Sequence, residues 1–384
     1  MMASTQMPRP VPAGVSSLAT GVRGGTEGPA VEFRNIDIAY GKFVAVRDFS
    51  LAIDKGSFVT LLGPSGCGKT TILRAIAGLV GISAGEISIG GRRIDGIPIY
   101  KRNIGLVFQN YALFPHKTVF DNVAFGLKYR NVPKPEIRQR VTEALEMVRL
   151  PGSEKKLPSQ LSGGQQQRIA LARAIVFQPE VLLLDEPLSA LDANMREEMR
   201  VEIKKIQKAT GITALFVTHD QDEALAMSDR IVVMNSGVME QTGTPHAVYE
   251  QPETRFVASF LGKANLLSGT MTGVAGGRAT VELPDARKVT VATDASPAKG
   301  AAVTLVLRPQ KLAVGAPAGA DLVGTVTSAS YLGSSVLYEI DSGGSVLHAA
   351  NLIEGRPFEE GETVGISLPA SGVVLLDADG RRLR

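Results

Sequence analysis

The stretch GPSGCGKTT, at residues 63–71, restricts the fold of this chain more than any other feature of the sequence. The apolar run FVTLLG leads into it, and TTILRAIAGL follows with apolar residues at helical spacing. Glycines at these positions let backbone N–H groups surround a phosphate chain, and the helix start contributes the positive end of its dipole. Because the loop needs a strand before it and a helix after it, the sequence predicts an α/β core. The alternative is a glycine-rich turn that carries a solvated lysine.

Nucleotide phosphates are the expected ligands of this loop. Lys69 would neutralise the β- and γ-phosphates of ATP, and the Thr70 hydroxyl would be a ligand of Mg²⁺. The predicted nucleotide-binding residues of the loop are Gly63, Pro64, Ser65, Gly66, Cys67, Gly68, Lys69, Thr70 and Thr71. In the helix that follows, Ile72, Ile76 and Leu79 are expected to share one apolar face.

Cys67 is the only cysteine of the chain, so no internal disulfide can form and a reducing compartment is expected. It lies inside the loop, close to Lys69 and to a helix N-terminus, and both features lower the pKa of a thiol. The sequence therefore raises the hypothesis that alkylation of Cys67 blocks nucleotide binding. A small filler residue without special reactivity is the alternative interpretation.

Two further apolar runs end in polar residues, VLLLDEP at 181–187 and ITALFVTHD at 212–220. Apolar runs without alternation favour a parallel sheet covered on both faces, and ligands bind at the carboxyl ends of such strands. Asp185 would face Mg²⁺ and its water shell, Glu186 would act as general base toward an attacking water, and His219 would hydrogen-bond the γ-phosphate or orient that water. The alternatives are two surface carboxylates in a turn and a structural histidine at a strand end.

The segment LSGGQQQR, at 161–168, precedes the helical pattern IALARAI and has the features of a second anion-binding helix start. It lies far along the sequence from the first one. A fold can bring two such segments together within one chain, or a second molecule can supply one of them. Alternatively, the segment is only a helix cap, in which Ser162 is the N-cap residue and the glycines form the turn.

The composition and the pattern of apolar residues divide the chain into three parts. Residues 1–30 are rich in Pro, Gly, Ser and Ala and are expected to form a disordered extension. Residues 31–260 are expected to form the α/β domain. Residues 261–384 contain short β-branched runs between turn residues, which predicts a small all-β barrel or sandwich. No run approaches ~18 uninterrupted apolar residues, so we expect no membrane-spanning helix.

A helical insertion is predicted inside the α/β domain, at about 114–176. Within it, PEIRQRVTEALEMVRL has apolar residues at helical spacing, so that Ile137, Val141, Leu145 and Val148 fall on one side. This pattern predicts an amphipathic helix that packs its apolar side against the rest of the insertion.

Together, these motifs make the chain similar to the ATP-binding subunit of an ABC (ATP-binding cassette) importer. The similarity extends from Val31 to the C-terminus. GPSGCGKTT looks like the Walker A motif, VLLLDE looks like Walker B, and LSGGQ is the family signature. The resemblance implies an α/β P-loop NTPase fold of the ABC type with a helical insertion, followed by a small all-β, OB-like barrel domain.

The resemblance adds roles for residues outside these three motifs. Gln109 matches the Q-loop, which touches Mg²⁺ and senses the membrane subunits in this family. Asp192, at the end of SALD (189–192), matches the D-loop, and His219 matches the switch histidine. Tyr40 stands where the family stacks an aromatic ring on adenine, although a tyrosine near a strand is also a common packing residue.

In this family, the signature of one subunit covers the nucleotide that the Walker motifs of another subunit hold. The resemblance therefore implies a homodimer with two composite sites. The signature residues that would reach the nucleotide across the interface are Ser162, Gly163, Gly164 and Gln165. It also implies two integral-membrane permease subunits, an extracytoplasmic solute-binding protein, and a peripheral position at the cytoplasmic face of the inner membrane.

Four aromatic residues follow the predicted Q-loop, in QNYALFPHKTVFDNVAFGL. Some of them are expected in the core, and the region resembles part of the groove that receives a helix of the membrane subunit in this family. These residues are Tyr111, Phe114, Phe120 and Phe125.

The β-rich part resembles the regulatory OB-type (TOBE) domain of this importer class, through LRPQ at 307–310 and YLGSS at 331–335. The family often has glutamate where this chain has Gln310. An OB-like barrel binds nucleic acid when it offers stacking aromatic side chains. The aromatic residues beyond position 261 are only Tyr331, Tyr338 and Phe358, and the net charge of the chain is only +3. We therefore expect no nucleic-acid partner.

The function implied by the resemblance is ATP hydrolysis coupled to solute import across the membrane. LFPHKTVFDNVAFGL looks most like importers of polyamines such as spermidine and putrescine. Iron(III), phosphonate, sulfate and sugar importers have similar ATPases and remain alternatives, as does an exporter. A soluble ABC-type ATPase acting on DNA or ribosomes is a rival interpretation, but the chain has neither a long coiled-coil insertion nor two fused cassettes. A regulator that binds ATP without hydrolysing it is disfavoured by Lys69, Asp185, Glu186 and His219.

Overall fold

The structure is a computed structural model that describes residues 28–293, 295, 297–353, 355–369, 371 and 373–383. Most of the predicted N-terminal extension, residues 1–27, lies outside the described residues. Backbone contacts divide the chain into two compact units whose boundary falls between Met239 and Glu240. Among the described residues, no helix combines the length and apolar character needed to cross a bilayer.

The first unit alternates strands and helices in the order expected for an α/β domain. Its elements are β1 (Val31–Tyr40), β2 (Phe43–Ile53), β3 (Phe58–Leu62), α1 (Lys69–Ala77), β4 (Ala84–Ile89), β5 (Arg92–Arg93), β6 (Ile104–Val107), α2 (Val119–Tyr129), α3 (Lys134–Met147), α4 (Gly163–Ile175), β7 (Val181–Asp185), α5 (Ala193–Thr210), β8 (Thr213–Thr218), α6 (Gln221–Met227) and β9 (Arg230–Asn235). Strand β10 (Val238–Gly243) begins in this unit.

The central sheet brings the candidate site together. Its strand order is β10-β9-β3-β8-β7-β6, and β3 pairs in parallel with β8 and β9, as β7 does with β6 and β8. Every residue of β3, β7 and β8 is buried, which explains their uninterrupted apolar runs. In the register, Leu62 faces Thr218 and Asp185 faces Val217, so the three strands end side by side.

A second, antiparallel sheet of the order β2-β1-β4-β5 covers a separate part of the core. Phe33 and Phe49 meet edge to face there, with ring centroids 5.4 Å apart. Helix α1 buries Ile72 and Ile76 in the same core. The predicted third member of that face, Leu79, is instead 47% exposed, because α1 ends at Ala77 and Gly78 turns the chain with φ +82°.

Helices α2, α3 and α4 form the predicted helical insertion. The four apolar residues predicted to share one side of α3 are all buried in one core with residues of α2 and α4. Helix α3 begins after Pro133, with a further proline in its first turn, where the missing N–H costs nothing. Helix α2 begins at the N-cap Thr118, whose side chain accepts a hydrogen bond from the backbone N–H of Asp121.

The second unit confirms the predicted all-β region. Two antiparallel five-stranded sheets, β13-β12-β11-β14-β20 and β15-β19-β16-β17-β18, enclose one apolar core. The elements are α7 (Pro245–Glu250), α8 (Arg255–Phe260), β11 (Asn265–Ala275), β12 (Arg278–Glu282), β13 (Lys288–Ala292), β14 (Ala302–Leu307), β15 (Ala313–Gly315), β16 (Leu322–Tyr331), β17 (Ser335–Ser342), β18 (Ser345–Leu352), β19 (Thr363–Ser367) and β20 (Val374–Leu376).

The segment LRPQ attaches α7 and α8 to the β-rich unit. Arg308 is 3% exposed, and its guanidinium donates hydrogen bonds to the carbonyl oxygens of Tyr249, Ala258 and Leu261, at the C-terminal ends of the two helices. The guanidinium also lies 4.1 Å from the centroid of the Tyr249 ring. Gln310 donates a hydrogen bond to the hydroxyl of Tyr249. These contacts explain why both helices group with the second unit, whereas the sequence placed the domain boundary near residue 260.

Candidate functional site

The loop between β3 and α1 has the backbone geometry of an anion cradle. Gly68 adopts φ +101°, a conformation that L side chains rarely adopt, directly before the helix begins. A Cβ atom at Gly63 would lie 2.3 Å from the carbonyl oxygen of Met234, so this position has no room for a side chain. Glycine at these two positions is therefore required by the loop itself.

Lys69 lies within the curve of this loop and is 4% exposed. Its ammonium group donates hydrogen bonds to the carbonyl oxygens of Gly63, at 2.7 Å, and Pro64, at 2.8 Å. It also lies 3.7 Å from the Sγ atom of Cys67. Neutral carbonyl groups do not cancel the charge of an ammonium group, so Lys69 can form a charge-assisted hydrogen bond with an anion such as a phosphate.

The structure corrects the expectation for Cys67. The thiol is 3% exposed, and burial raises its pKa, which outweighs the opposing effect of Lys69. The sequence predicted a lowered pKa because it showed the helix start and the lysine but not how deeply the side chain is buried. Cys67 therefore fits the filler interpretation, since its Sγ atom would lie only 2.7 Å from a Cβ at Gly63.

We expect iodoacetamide to alkylate Cys67 slowly in the native protein at pH 7, because the thiolate is the nucleophile and a raised pKa leaves less of it. The rate should rise as the pH approaches the raised pKa, and it should be much faster in denaturant, which serves as the control. Mass spectrometry of the labelled peptide measures the rate. Protein that is eventually labelled is expected to lose ATP binding, because the added group cannot fit under the loop. Rapid native labelling at neutral pH, or full ATPase activity of the labelled protein, would contradict this interpretation.

Thr70 and Asp185 meet at the end of the sheet. The Thr70 hydroxyl donates a hydrogen bond of 3.1 Å to Oδ1 of Asp185. Asp185 is 7% exposed, and burial raises its pKa, so its ionised form needs a nearby positive charge. A hydroxyl and a carboxylate are the hard oxygen ligands that Mg²⁺ prefers. These two residues therefore fit a magnesium ion at the mouth of the phosphate loop.

Glu186 and His219 form a second pair beside the first. Oε2 of Glu186 lies 3.1 Å from Nδ1 of His219. Glu186 adopts φ +42°, a left-handed conformation that is costly for a residue with a side chain, and its N–H donates to the carbonyl oxygen of Val217. The strained turn directs the carboxylate toward the neighbouring strand end, where half-exposed His219 follows β8.

The residues of LSGGQ form a capped helix start. Ser162 is the N-cap of α4, its hydroxyl accepts from the N–H of Gln165, and the Gln165 side chain accepts from the N–H of Ser162. The cap proposed as an alternative is thus present. Ser162 and Gly163 are exposed at the surface, so the cap leaves this helix start accessible to a ligand.

The signature turn packs on the beginning of α5. A Cβ at Gly164 would lie 2.5 Å from Sδ of Met195, and one at Gly163 would lie 3.7 Å from the Leu191 side chain. Asp192 is the N-cap of α5, where its carboxylate accepts from the N–H of Met195. The structure therefore joins the predicted signature residues to the predicted D-loop within one chain.

Tyr40 and Gln109, whose roles come from the resemblance, lie at exposed positions. Tyr40 is 49% exposed at the end of β1, paired with Phe43 across the hairpin. Gln109 is exposed in the segment that follows β6. Just beyond Gln109, Tyr111 adopts φ +59°, and the guanidinium of Arg173 on α4 donates to its carbonyl oxygen at 2.8 Å. The Q-loop segment is thus attached to the helix that begins at the signature.

The four aromatic residues after the Q-loop separate into two groups. Tyr111 is buried in the core, whereas the others are half-buried. The Phe114 and Phe125 rings are 4.7 Å apart, and the Phe125 and Tyr129 rings are 4.8 Å apart. Tyr129, which the sequence analysis did not single out, is 77% exposed. A row of aromatic rings therefore extends from half-buried Phe114 and Phe125 to exposed Tyr129.

Sequence reasoning missed Arg196 and Glu223. Arg196 lies in the first turn of α5, and its guanidinium contacts the segments that carry Leu191 and Asp220. Glu223, on α6, is 3% exposed and accepts a hydrogen bond from Thr218. The available signal was the spacing of Arg196 four residues after Asp192, but this spacing is common on exposed helices and indicates no partner.

Comparisons with known proteins agree with this geometry. A family profile described as "ABC transporter" matches residues 46–189, and one described as "TOBE domain" matches residues 305–376. The spermidine/putrescine import ATP-binding protein PotA of Rubrobacter xylanophilus is 48% identical over 352 residues, which cover 90% of this chain and 93% of that protein. The Fe(3+) ions import ATP-binding protein FbpC of Rhizobium etli is 44% identical over 348 residues, with coverage of 91% and 98%.

A solved structure supports the ABC ATPase fold. CbiO1 from Clostridium perfringens, described as part of the ABC transporter complex cbiONQ, is 32% identical with a TM-score of 0.55. The match covers 58% of this chain and 91% of that chain. These similarities agree with the phosphate loop, the contacts of Asp185 and Glu186, and the β-rich second unit. They show that the chain belongs to the ABC transporter family, as an import ATP-binding subunit with ATPase activity and a C-terminal TOBE domain.

Proposed function

We propose that this chain binds ATP·Mg²⁺ and hydrolyses it as a homodimer, and that the cycle drives solute uptake through associated membrane subunits. The observation that carries the proposal is the pair of contacts at neighbouring strand ends, Thr70 with Asp185 and Glu186 with His219. The oxygen atoms of Thr70 and Asp185 are suitable ligands for a metal ion. The carboxylate of Glu186, in contact with His219, is suitable for accepting a proton from a water molecule. Both lie at the carboxyl ends of β7 and β8, beside the phosphate loop after β3.

Each residue of the candidate site has a proposed role in ATP hydrolysis. The loop at 63–71 and Lys69 bind the phosphates, and the Thr70 hydroxyl and Asp185 hold Mg²⁺, which shields the negative charge of the phosphates when bound. Gln109 is proposed as a further ligand of that ion. Glu186 accepts the proton of the attacking water. His219 positions the Glu186 carboxylate and hydrogen-bonds the γ-phosphate or orients the water. Catalysis rests on positioning and electrostatics.

A second chain completes each site in this proposal. Ser162, Gly163 and Gly164 lie at a helix start whose N–H groups and dipole favour an anion. Within one chain, this turn packs on Leu191 and Met195. The exposed Ser162 would reach the γ-phosphate held by the partner chain, with Tyr40 stacked on the adenine of its own nucleotide.

The membrane partners are proposed from the import relatives and from one surface. The row of aromatic rings from Phe114 to Tyr129 forms a partly exposed apolar surface against which a permease helix would pack. The chain would then act as a peripheral subunit at the cytoplasmic face of the inner membrane. Its complex would contain two permease subunits and receive the solute from an extracytoplasmic binding protein.

The proposed solute class is the polyamines, spermidine and putrescine. The relative named for spermidine/putrescine import is 48% identical, compared with 44% for the one named for iron(III) import. Iron(III) is therefore the second candidate.

Proteoliposomes test the solute. The chain is reconstituted with the permease encoded beside its gene and with the matching binding protein, and uptake of ¹⁴C-spermidine and of ⁵⁵Fe(III) is measured with and without ATP inside. We expect ATP-dependent uptake of spermidine that disappears with Lys69→Ala. Uptake of iron(III) without uptake of spermidine would overturn the polyamine assignment while leaving the import function in place.

A further inference from the structure

Arg196 connects two segments that belong to different parts of the catalytic apparatus. Its guanidinium donates a hydrogen bond of 3.1 Å to the carbonyl oxygen of Leu191, which lies in the D-loop turn. It donates another, of 3.4 Å, to the Asp220 carboxylate, which directly follows His219. Its Nε atom lies 3.9 Å from Oε1 of Glu223. One side chain therefore joins the D-loop to the segment of the switch histidine.

The segment of His219 is built so that Asp220 fixes its backbone. The Asp220 side chain is the N-cap of α6 and accepts from the N–H of Glu223 at 3.1 Å. The N–H of Asp220 donates to Oγ1 of Thr218, at 3.0 Å, and the same hydroxyl donates to Glu223 at 2.6 Å. His219 lies between these anchored residues. A displacement of Asp220 would therefore move the imidazole that contacts Glu186.

The D-loop end of this connection rests on the signature turn. A Cβ at Gly163 would lie 3.7 Å from the Leu191 side chain, and one at Gly164 would lie 2.5 Å from Sδ of Met195, so the turn lies close to both residues. A shift of the signature turn would push on these two residues, which flank the N-cap Asp192. Leu191 is also the residue whose carbonyl oxygen Arg196 holds. The contacts thus run without a gap from the signature face to His219.

A small cavity of about 90 Å³ lies along this path. Arg196, Glu223, Glu186 and His219 all line it. The Nε atom of Arg196 is buried and lies 3.9 Å from Oε1 of Glu223, an ion pair without a direct hydrogen bond.

We propose that Arg196 is a positioning residue. When the signature turn of the same chain (residues 162–164) moves, Arg196 changes the position of His219. Docking of the signature turn on a partner's nucleotide would move the D-loop, and Arg196 would transmit that movement through Asp220 to His219. The two nucleotide sites of a dimer would thereby be coupled through each chain. This inference rests on the proposed roles of Glu186, His219 and Ser162.

A double-mutant cycle with Arg196→Ala and Asp220→Asn tests the connection. Asparagine is also a good N-cap, so Asp220→Asn keeps the cap of α6 and removes only the charge that Arg196 contacts. We measure kcat and KM for ATP hydrolysis and the Kd of a fluorescent ATP analogue. We expect Arg196→Ala to lower kcat about tenfold or more, because small displacements of a catalytic group are costly, and to leave the Kd for nucleotide unchanged.

The double variant distinguishes positioning from general stabilisation. If Arg196 acts through Asp220, the double variant has the same kcat as the less active single variant. If the two residues act independently, the fold-losses in kcat of the two single variants multiply. Arg196→Lys should recover only part of the rate, because an ammonium group cannot replace a planar fork that contacts several acceptors. The matched control is Arg140→Ala on α3, where Arg140 pairs with Glu136 and has a side-chain exposure of 29%, against 32% for Arg196.

The outcomes separate this inference from the proposed function. Normal kcat in Arg196→Ala, or multiplied losses in the double variant, would overturn the positioning role. Normal turnover in Glu186→Gln would instead overturn the proposed catalytic function. If Arg196→Ala does not fold, the cycle of Arg196→Lys with Asp220→Asn gives the same comparison, with thermal unfolding as the check on folding.

Discussion

Replacing Glu186 by glutamine is expected to lower ATP turnover by about 10²- to 10⁴-fold, the usual contribution of a general base. The amide keeps the size of the side chain but cannot accept the proton of the attacking water. The contact with Nδ1 of His219 can persist, since an amide oxygen accepts a hydrogen bond as a carboxylate does. ATP binding is proposed to depend on Lys69 and the phosphate loop, so we expect it to remain. The variant should therefore accumulate as an ATP-bound, closed dimer.

Three measurements check this expectation: steady-state phosphate release, binding of a fluorescent ATP analogue, and size-exclusion chromatography with and without ATP. Glu136→Gln on α3 is the control, because it makes the same chemical change in an ion pair remote from the site. Turnover near that of the wild type would remove Glu186 from its proposed role. Loss of nucleotide binding would show instead that the carboxylate is needed to form the pocket.

Ser162→Arg is expected to leave ATP binding nearly intact and to abolish hydrolysis. Ser162 is exposed at the start of α4, so the larger, charged side chain would project from the surface that the partner's nucleotide is proposed to meet. The loss of its N-cap costs about 1 kcal/mol, which does not unfold a domain of this size. Loss of the donors at a developing charge lowers rates by about 10²- to 10³-fold.

Mixing two inactive variants tests whether the site is shared between chains. Ser162→Arg keeps its phosphate loop, and Lys69→Ala keeps its signature, so their heterodimer contains one intact composite site. We expect the mixture to regain part of the ATPase activity that neither variant has alone. Thr244→Arg removes a cap of the same kind at α7 and serves as the control for the arginine substitution. A mixture that stays inactive while heterodimers form would contradict the shared site.

The sequence predicted the strands and the helix around the candidate site because their signals are local. The phosphate loop needs a strand, glycines and a helix in one short segment, and the buried strands β3, β7 and β8 show as uninterrupted apolar runs. The parallel register then places Asp185 beside Val217 of β8, the strand that lies between β7 and the strand β3 that leads into the phosphate loop. Resemblance supplied the roles of Tyr40 and Gln109, and these roles stay predictions.

The parts that the sequence did not predict depend on contacts between distant residues. The pKa of Cys67 is decided by burial, which outweighs the nearby lysine that the sequence shows. Leu79 falls outside its predicted face because Gly78 ends the helix one residue earlier. Arg196 contacts two segments outside its own helix turn, and no short pattern records that its partners are a carbonyl oxygen and a carboxylate 24 residues away.

The hydrogen bonds of Arg308 have a consequence for how such proteins can exchange parts during evolution. A recombination event that replaced the chain from residue 261 onward would separate Arg308 from the carbonyl oxygens of Tyr249 and Ala258. Those helix ends would then depend on whatever side chain the incoming segment supplied. A replacement that carries α7 and α8 along with the β-rich unit keeps the arginine and its acceptors together. The unit that can be exchanged as a whole therefore includes both helices as well as the β-rich part that carries Arg308.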